Sequence, residues 1–352
     1  MNLQKRICII HRFSDLQISE QTIKEFPIFA TQIYADFLLR TKGYNTIWFI
    51  YHNDVESQYI IPFSTLKKAI FIKGTFLTST LKIGNPDLSE QDFLEKVVDF
   101  IKKGKICDWI QQSPNHAIFN QYPKSAIFCP FGTYKLDLQK YSSADELFLT
   151  LKNESRHDIL KAKRDGVEIK NGASVIADSF YLIRDTLSKT NLYYPSLAEL
   201  KKEIELLNGN IHIYVAYYNE QPQATTIFYS TIFCTYAIYA GSKPHAVRGA
   251  NSYLYWQAIS ESIIRNVRYF DFVGARINPP KDSKLYRIQR FKSQFNGELQ
   301  LGYLWKISIS PNKYRIYRSI NRLICFLKGR EVKGDIIDQE IDRMKVQNNR
   351  VN

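Results

Sequence analysis

Residues 221–242 carry no charged side chain, and this run constrains the fold more than any other part of the 352-residue chain. It is about as long as the ~20 residues that an apolar helix needs to cross a bilayer. It also holds Thr225, Thr226, Ser230, Thr231, Thr235 and three tyrosines, and its β-branched and aromatic content suits strands. The expectation is therefore a pair of strands, 224–232 and 234–240, and not a transmembrane helix. An Asn208-Gly209-Asn210 turn feeds a strand over 211–218, which residues 219–223 link to that pair. A glycine-bearing loop (GSKPHAVRGANS) follows, then a helix over 252–266 and a strand over 269–273 closed by Gly274. Three adjacent antiparallel strands, a loop, a helix and a strand describe an α+β sheet whose middle can open against a helix N-terminus.

The remaining length needs a second core, because domains of ~100–200 residues are the norm. With 45% hydrophobic and 14% aromatic residues there is apolar area for both, which excludes disorder, collagen-like repeats and a small disulfide scaffold. The five cysteines are dispersed, odd in number and form no C-x-x-C pair, so a reducing compartment and no zinc site are expected. Lys5 and Arg6 precede an apolar run at 7–10, but His11, Arg12 and Asp15 interrupt it before a signal-peptide core forms, which predicts a cytoplasmic location.

In the first half, 46–51, 58–62, 69–72 and 126–130 read as strands. Residues 89–103 read as a helix with Ser89 as N-cap and Phe93, Val97, Phe100 and Ile101 on one face. A second helix starts at Ser143 with the capping box S-A-D-E and runs through Leu147, Leu151 and Ile159 to Lys163, with a break near Asn153. Asp165-Gly166 ends it, a strand over 167–169 follows, and helices are expected over 179–189 and 196–207. The domains expected are 1–165, which ends with the entry helix to the second domain, then 166–310, and last a basic amphipathic helix and polar tail over 311–352.

Several segments, in order, have a familiar look: TYKLDL (133–138), LKNESRHDILKAKRDGVEI (151–169), HIYVAYYNEQPQATTIFY, TYAIYAGS, ANSYLYWQAI, YFDFVGA and RFKSQFNGEL. Over roughly residues 130–305 the chain resembles the Fem-type peptidyltransferases, the FemAB-like branch of the GNAT acyltransferase superfamily. The resemblance implies two tandem GNAT-like domains with largely antiparallel mixed sheets, the first a diverged copy. It implies an N-acyltransferase that moves an acyl or aminoacyl group onto an amine of a cell-envelope precursor, in peptidoglycan or a surface polysaccharide, by direct attack. The donor would be an aminoacyl-tRNA or an acyl-CoA, with no tightly bound cofactor and no metal.

Such a fold splays two central strands around the donor carbonyl and receives phosphate at the next helix N-terminus. The residues there are Gly241, Arg248, Gly249, Ala250, Asn251 and Ser252, with Asn251 or Ser252 as N-cap and Arg248 able to pair with a phosphate. An ordinary glycine turn that caps a helix explains the same residues, and Asn251 stands where the coenzyme A pattern R-x-x-G-x-G/A has its first glycine. Residues 276–292 hold six basic residues against one acid. Within them Arg290-Phe291-Lys292 resembles the family's Phe-Lys pair, which gives Lys292 the role of stabilising negative charge, beside Phe291, and makes Arg290 a candidate for contacting the acceptor. Lys281 and Lys284 read as a solvated face. Asp271, between aromatic neighbours on a strand, reads as a base or as a holder of a loop. Tyr193, Tyr194 and Tyr239 are candidates for contacting the acceptor, or for packing. His157, His212 and His245 fit no triad.

Residues 313–330 hold six basic residues and no acid. Ile316, Ile320, Leu323, Ile324 and Leu327 form one helical stripe, with Arg315, Arg318 and Arg322 nearly opposite. This fits a helix on an anionic membrane face, which would place the protein peripherally at the inner face, or a terminal helix docked on its own core. These two basic segments supply 12 of the 48 Lys and Arg, so a formal charge of +14 points to an anionic small-molecule or lipid-linked partner, with RNA as a donor carrier and no DNA. The contrasting function is a non-catalytic module of the same fold that grips RNA or a membrane. No RNA-recognition or helix-turn-helix signature supports it.

Overall fold

A computed structural model describes residues 7–16, 18–52, 57–113, 115–188, 194–327, 329 and 334–348. The strands are β1 (Ile7–Ile10), β2 (Asn45–His52), β3 (Gln58–Lys68), β4 (Phe71–Phe76), β5 (Leu81–Ile83), β6 (Trp109–Gln111), β7 (Ile127–Asp137), β8 (Glu168–Asn171), β9 (Ile211–Tyr218), β10 (Gln221–Ser230), β11 (Cys234–Ser242), β12 (Tyr269–Asp271) and β13 (Glu298–Ser308). The helices are α1 (Glu20–Lys24), α2 (Gln32–Lys42), α3 (Glu90–Gly104), α4 (Ala144–Thr150), α5 (Asn153–Arg164), α6 (Ile176–Ser188), α7 (Leu197–Leu206), α8 (Ala250–Ile264), α9 (Lys284–Ser293), α10 (Pro311–Leu327) and α11 (Ile336–Asn348).

The chain forms two compact units, one of residues 1–19, 29–132 and 301–352, the other of residues 20–28 and 133–300. These do not follow the expected division at 165/166 and 310/311. The entry helix, expected within 1–165, is two helices, α4 and α5, and both belong to the second unit. Leu147, Ile159 and Ala162 are buried there with Leu254, Ala258 and Phe270. The terminal segment belongs to the first unit, where Ile337 is buried against Cys129, Phe131 and Leu304. A boundary read along the chain follows turns, and it does not register that distant segments share one core.

In the first unit β1, β2, β3 and β4 pair antiparallel in that order, β6 joins β4 in parallel, and β13 pairs β6 antiparallel. Of residues 69–72, expected as a strand, Ala69 and Ile70 form the turn, with Ala69 at φ 52°, and the strand starts at Phe71. Ser89 caps α3 by accepting from the Asp92 amide, and Phe93, Leu94, Val97, Val98 and Ile101 are fully buried. At about 1.5–3 kcal/mol for each such side chain, this face is what fixes α3 on the sheet. Phe100, expected on that face, stays 38% exposed.

In the second unit the uncharged run is the antiparallel hairpin β10–β11, as its composition predicts, with β9 on the other side of β10 and β8 beyond. The link expected over 219–223 shrinks to Asn219 and Glu220, both with positive φ (47° and 60°), the geometry of a two-residue hairpin turn. Ser196 and Glu199 form the reciprocal capping box of α7. α8 is apolar nearly all round and packs its Leu254, Tyr255, Ala258 and Ile259 into the core. Among the described residues no helix is long and apolar enough to cross a membrane.

Candidate active site at the end of a parallel strand pair

β11 and β12 run parallel, and their pairing is short: Cys234 with Tyr269, Thr235 with Phe270, Tyr236 with Asp271. β12 stops at Asp271, while β11 continues to Ser242 paired only with β10, with a register shift between Ile227 and Phe228 that leaves Ile238 bulged. A bulge turns a strand out of the ladder. The parallel pair therefore opens beyond Tyr236 and Asp271, and the edge of β11 over 237–242 presents backbone groups without a β12 partner.

The open end is built around Asp271 and Lys292. Asp271 is 5% exposed, and its Oδ1 accepts from the Thr133 hydroxyl and, at 2.7 Å, from the Val273 amide. Burial raises its pKa, opposed by Lys135, by the bonds from Thr133 and Val273, and by Lys292. Lys292, on α9 and 8% exposed, donates to the carbonyls of Val273 and, at 2.8 Å, of Gly274. Burial lowers its pKa to about 8, with Asp271 pulling the other way.

Between these two charges Val273 takes φ 50°, a conformation that a β-branched residue adopts only under constraint. Its amide is held by Asp271 and its carbonyl by Lys292. Asp271 thus acts on the turn, which supports the loop-holding reading over the base. Gln289 on α9 donates to the Arg276 carbonyl and ties the following loop to the same helix.

The other expected site residues are placed differently. Phe291 packs in the core, edge-on to Tyr255 at 5.1 Å and Phe295 at 5.2 Å. Arg290 pairs with Glu154 of α5 at 2.6 Å, and Gln294 donates to the same carboxylate. Gly249, not Asn251 or Ser252, is the N-cap of α8, with no side-chain cap; both expected caps lie inside the first turn, and Ser252 is buried. Gly249 takes φ 82°, and a Cβ there would stand 2.1 Å from the Asp158 carbonyl, so the crossing of α5 and α8 requires glycine. Arg248 pairs with the Asp158 side chain at 2.8 Å. Gly241 is buried against the backbone of α6, where a Cβ would meet the Leu182 carbonyl at 2.6 Å. Packing thus accounts for both glycines.

Tyr194 stacks on Phe180 at 5.8 Å and meets Tyr239 edge-on at 5.1 Å. Its hydroxyl is buried with no hydrogen-bond partner among the described residues, and burial with Glu203 nearby raises its pKa, which keeps the proton on. Tyr193 lies outside the described residues. Lys281 and Lys284 are exposed, as a solvated face requires.

Reading residues singly missed Thr133, Lys135, Glu154 and Asp158. Thr133 opens the TYKLDL segment and Glu154 lies in the α5 segment, yet neither position carries a local sign of its distant partner.

No protein-family model matches the sequence, and no curated protein matches it. Solved structures do. FemX is 12% identical, with a TM-score of 0.60 over 88% of this chain and 99% of its own. A tandem GNAT protein from the clavulanic acid biosynthesis pathway is 10% identical, with a TM-score of 0.50 over 86% of this chain and 99% of its own. At such identities the likeness is one of fold. The chain has the α+β fold of these proteins, with two GNAT-like domains.

Proposed function

We propose that the protein is an N-acyltransferase that transfers an acyl or aminoacyl group to an amine of a cell-envelope precursor. The observation that carries this reading is the opened β11–β12 pair with the buried Lys292 ammonium at its mouth. The donor carbonyl lies in the opening, and the acceptor amine attacks it. The N–C bond forms, the C–O bond of an aminoacyl-tRNA ester or the C–S bond of an acyl-CoA breaks, and the amine proton leaves with the departing oxygen or sulfur. The negative charge that develops on the carbonyl oxygen is met by backbone N–H groups of the β11 edge and by Lys292. An ammonium has three donors, and among the described residues two of them go to the Val273 and Gly274 carbonyls, which leaves one for the substrate. Asp271 positions this turn, and the buried Tyr194 hydroxyl is an available donor for a polar group of the acceptor.

FemX and the tandem GNAT protein support this reading through their fold. Basic residues at 276–292 suit an anionic donor or acceptor. The test is acyl transfer with aminoacyl-tRNA and acyl-CoA donors to amino-sugar and peptide amines, with Lys292→Met as the control. Turnover in the wild type that survives this substitution removes Lys292 from the chemistry. Asp271→Asn separates its two roles: the amide oxygen still accepts from Val273, so retained activity fits a positioning residue, and complete loss fits a base.

A further inference from the structure

Helix α10 offers a surface that the described residues leave uncovered. None of its residues is buried, and Ile316, Ile320, Leu323 and Leu327 are 52%, 44%, 57% and 74% exposed. The helix is nonetheless held in place. Tyr314 and Tyr317 lie against Trp109, with ring centroids at 5.4 and 4.4 Å; Tyr317 also meets Phe71 at 5.6 Å, and Lys313 reaches Asp108 at 3.0 Å. The docked face is therefore the tyrosine face, and helical spacing leaves residues 316, 320, 323 and 327 on another side, outward. Next around the helix, away from the tyrosines, come Phe326, 78% exposed, and then Arg315 and Arg322.

We propose that α10 docks the protein on an anionic bilayer, with Ile316, Ile320, Leu323 and Leu327 at the headgroup boundary and Arg315 and Arg322 reaching lipid phosphates. Charge selects this occupant. Residues 313–330 hold six basic residues and no acid, so a second copy would bring like charge against like, whereas an anionic leaflet attracts it. At 1.5 Å per residue the 17 residues of α10 extend about 25 Å along the surface, and the arginine stems let the charges reach out while the apolar groups insert. This contact is independent of the acyl-transfer reading, because Lys292 takes no part in it.

Flotation of the full chain with vesicles tests the proposal. The wild type is expected to float with phosphatidylcholine vesicles that contain about 30% phosphatidylglycerol, to stay behind with phosphatidylcholine alone, and to release as salt is raised. Leu323→Asn with Leu327→Asn, both at exposed positions, should lower the bound fraction about tenfold. Arg315→Gln with Arg322→Gln should weaken binding and flatten its salt dependence, and Lys292→Met should float like the wild type. Failure of the wild type to float overturns the proposal. So does unchanged flotation of the leucine pair, or a concentration-dependent dimer in sedimentation that this pair abolishes.

Discussion

Two buried lysines, one in each unit, show how differently this chain treats a charge inside. Lys306, in the first unit, is 4% exposed and reaches Asp335 at 2.7 Å and Asp338 at 2.6 Å. Burial pulls its pKa down, but its hydrogen bonds to these two carboxylates outweigh that, and the net shift is upward. Lys292, in the second unit, is 8% exposed and among the described residues meets only the carbonyls of Val273 and Gly274, with Asp271 acting at longer range. Its pKa falls to about 8. The first lysine is a neutralised strut that joins β13 to the start of α11. The second is an under-compensated charge beside a strained turn, the arrangement expected where charge is needed for chemistry.

The comparison is sharpened first by substituting each lysine with methionine, which keeps most of the stem. Lys292→Met should lower the transfer rate by about 100- to 1000-fold, the range for removal of one oxyanion-stabilising donor, with the folded state intact by circular dichroism. Lys306→Met should leave the rate per folded molecule unchanged but cost on the order of 3 kcal/mol in denaturant unfolding, because two carboxylates lose their shared partner. Equal effects on rate from both substitutions would erase the distinction.

A smaller effect is in pH. With the Lys292 pKa lowered by burial from 10.5 to about 8, the ammonium is present below pH 8, and transfer should fall as pH rises through that value. Between about 8 and 10.5 the unfolded chain still binds the proton that folded Lys292 has released, so this group's share of stability increases with pH in that window. Lys306, with its pKa raised, does the reverse: its contribution is fully present below the ordinary lysine pKa and is lost above it. A flat rate profile across pH 7 to 9 would remove the ammonium from the mechanism.

The smallest effect concerns Val273. Glycine there should relieve the left-handed strain and raise stability by about 1 kcal/mol, while it loosens the carbonyl that holds Lys292 and slows transfer. A loss of stability would show that the turn is not strained.

The sequence by itself determined the elements whose signals are local. An uncharged run with β-branched and aromatic residues made the β10–β11 hairpin, because such side chains lose freedom in a helix and pack well on a pleated sheet. Ser89 and Ser196 started their helices because a hydroxyl at that position takes up a free amide of the first turn. The Phe-Lys pair pointed to Lys292, which the structure brings to the turn that Asp271 holds.

Tertiary structure alone decided the rest. The Thr133–Asp271 bond joins residues 138 apart in the chain, and Val273 can hold its left-handed φ only because Asp271 and Lys292 grip it from both sides. Gly249 looked like part of a phosphate loop, and the crossing of α5 and α8 explains it, through a backbone approach that no spacing rule encodes. The spacing of α10 revealed its apolar stripe but not which face the protein would cover. Two tyrosines against Trp109 settled that, and left the stripe facing out.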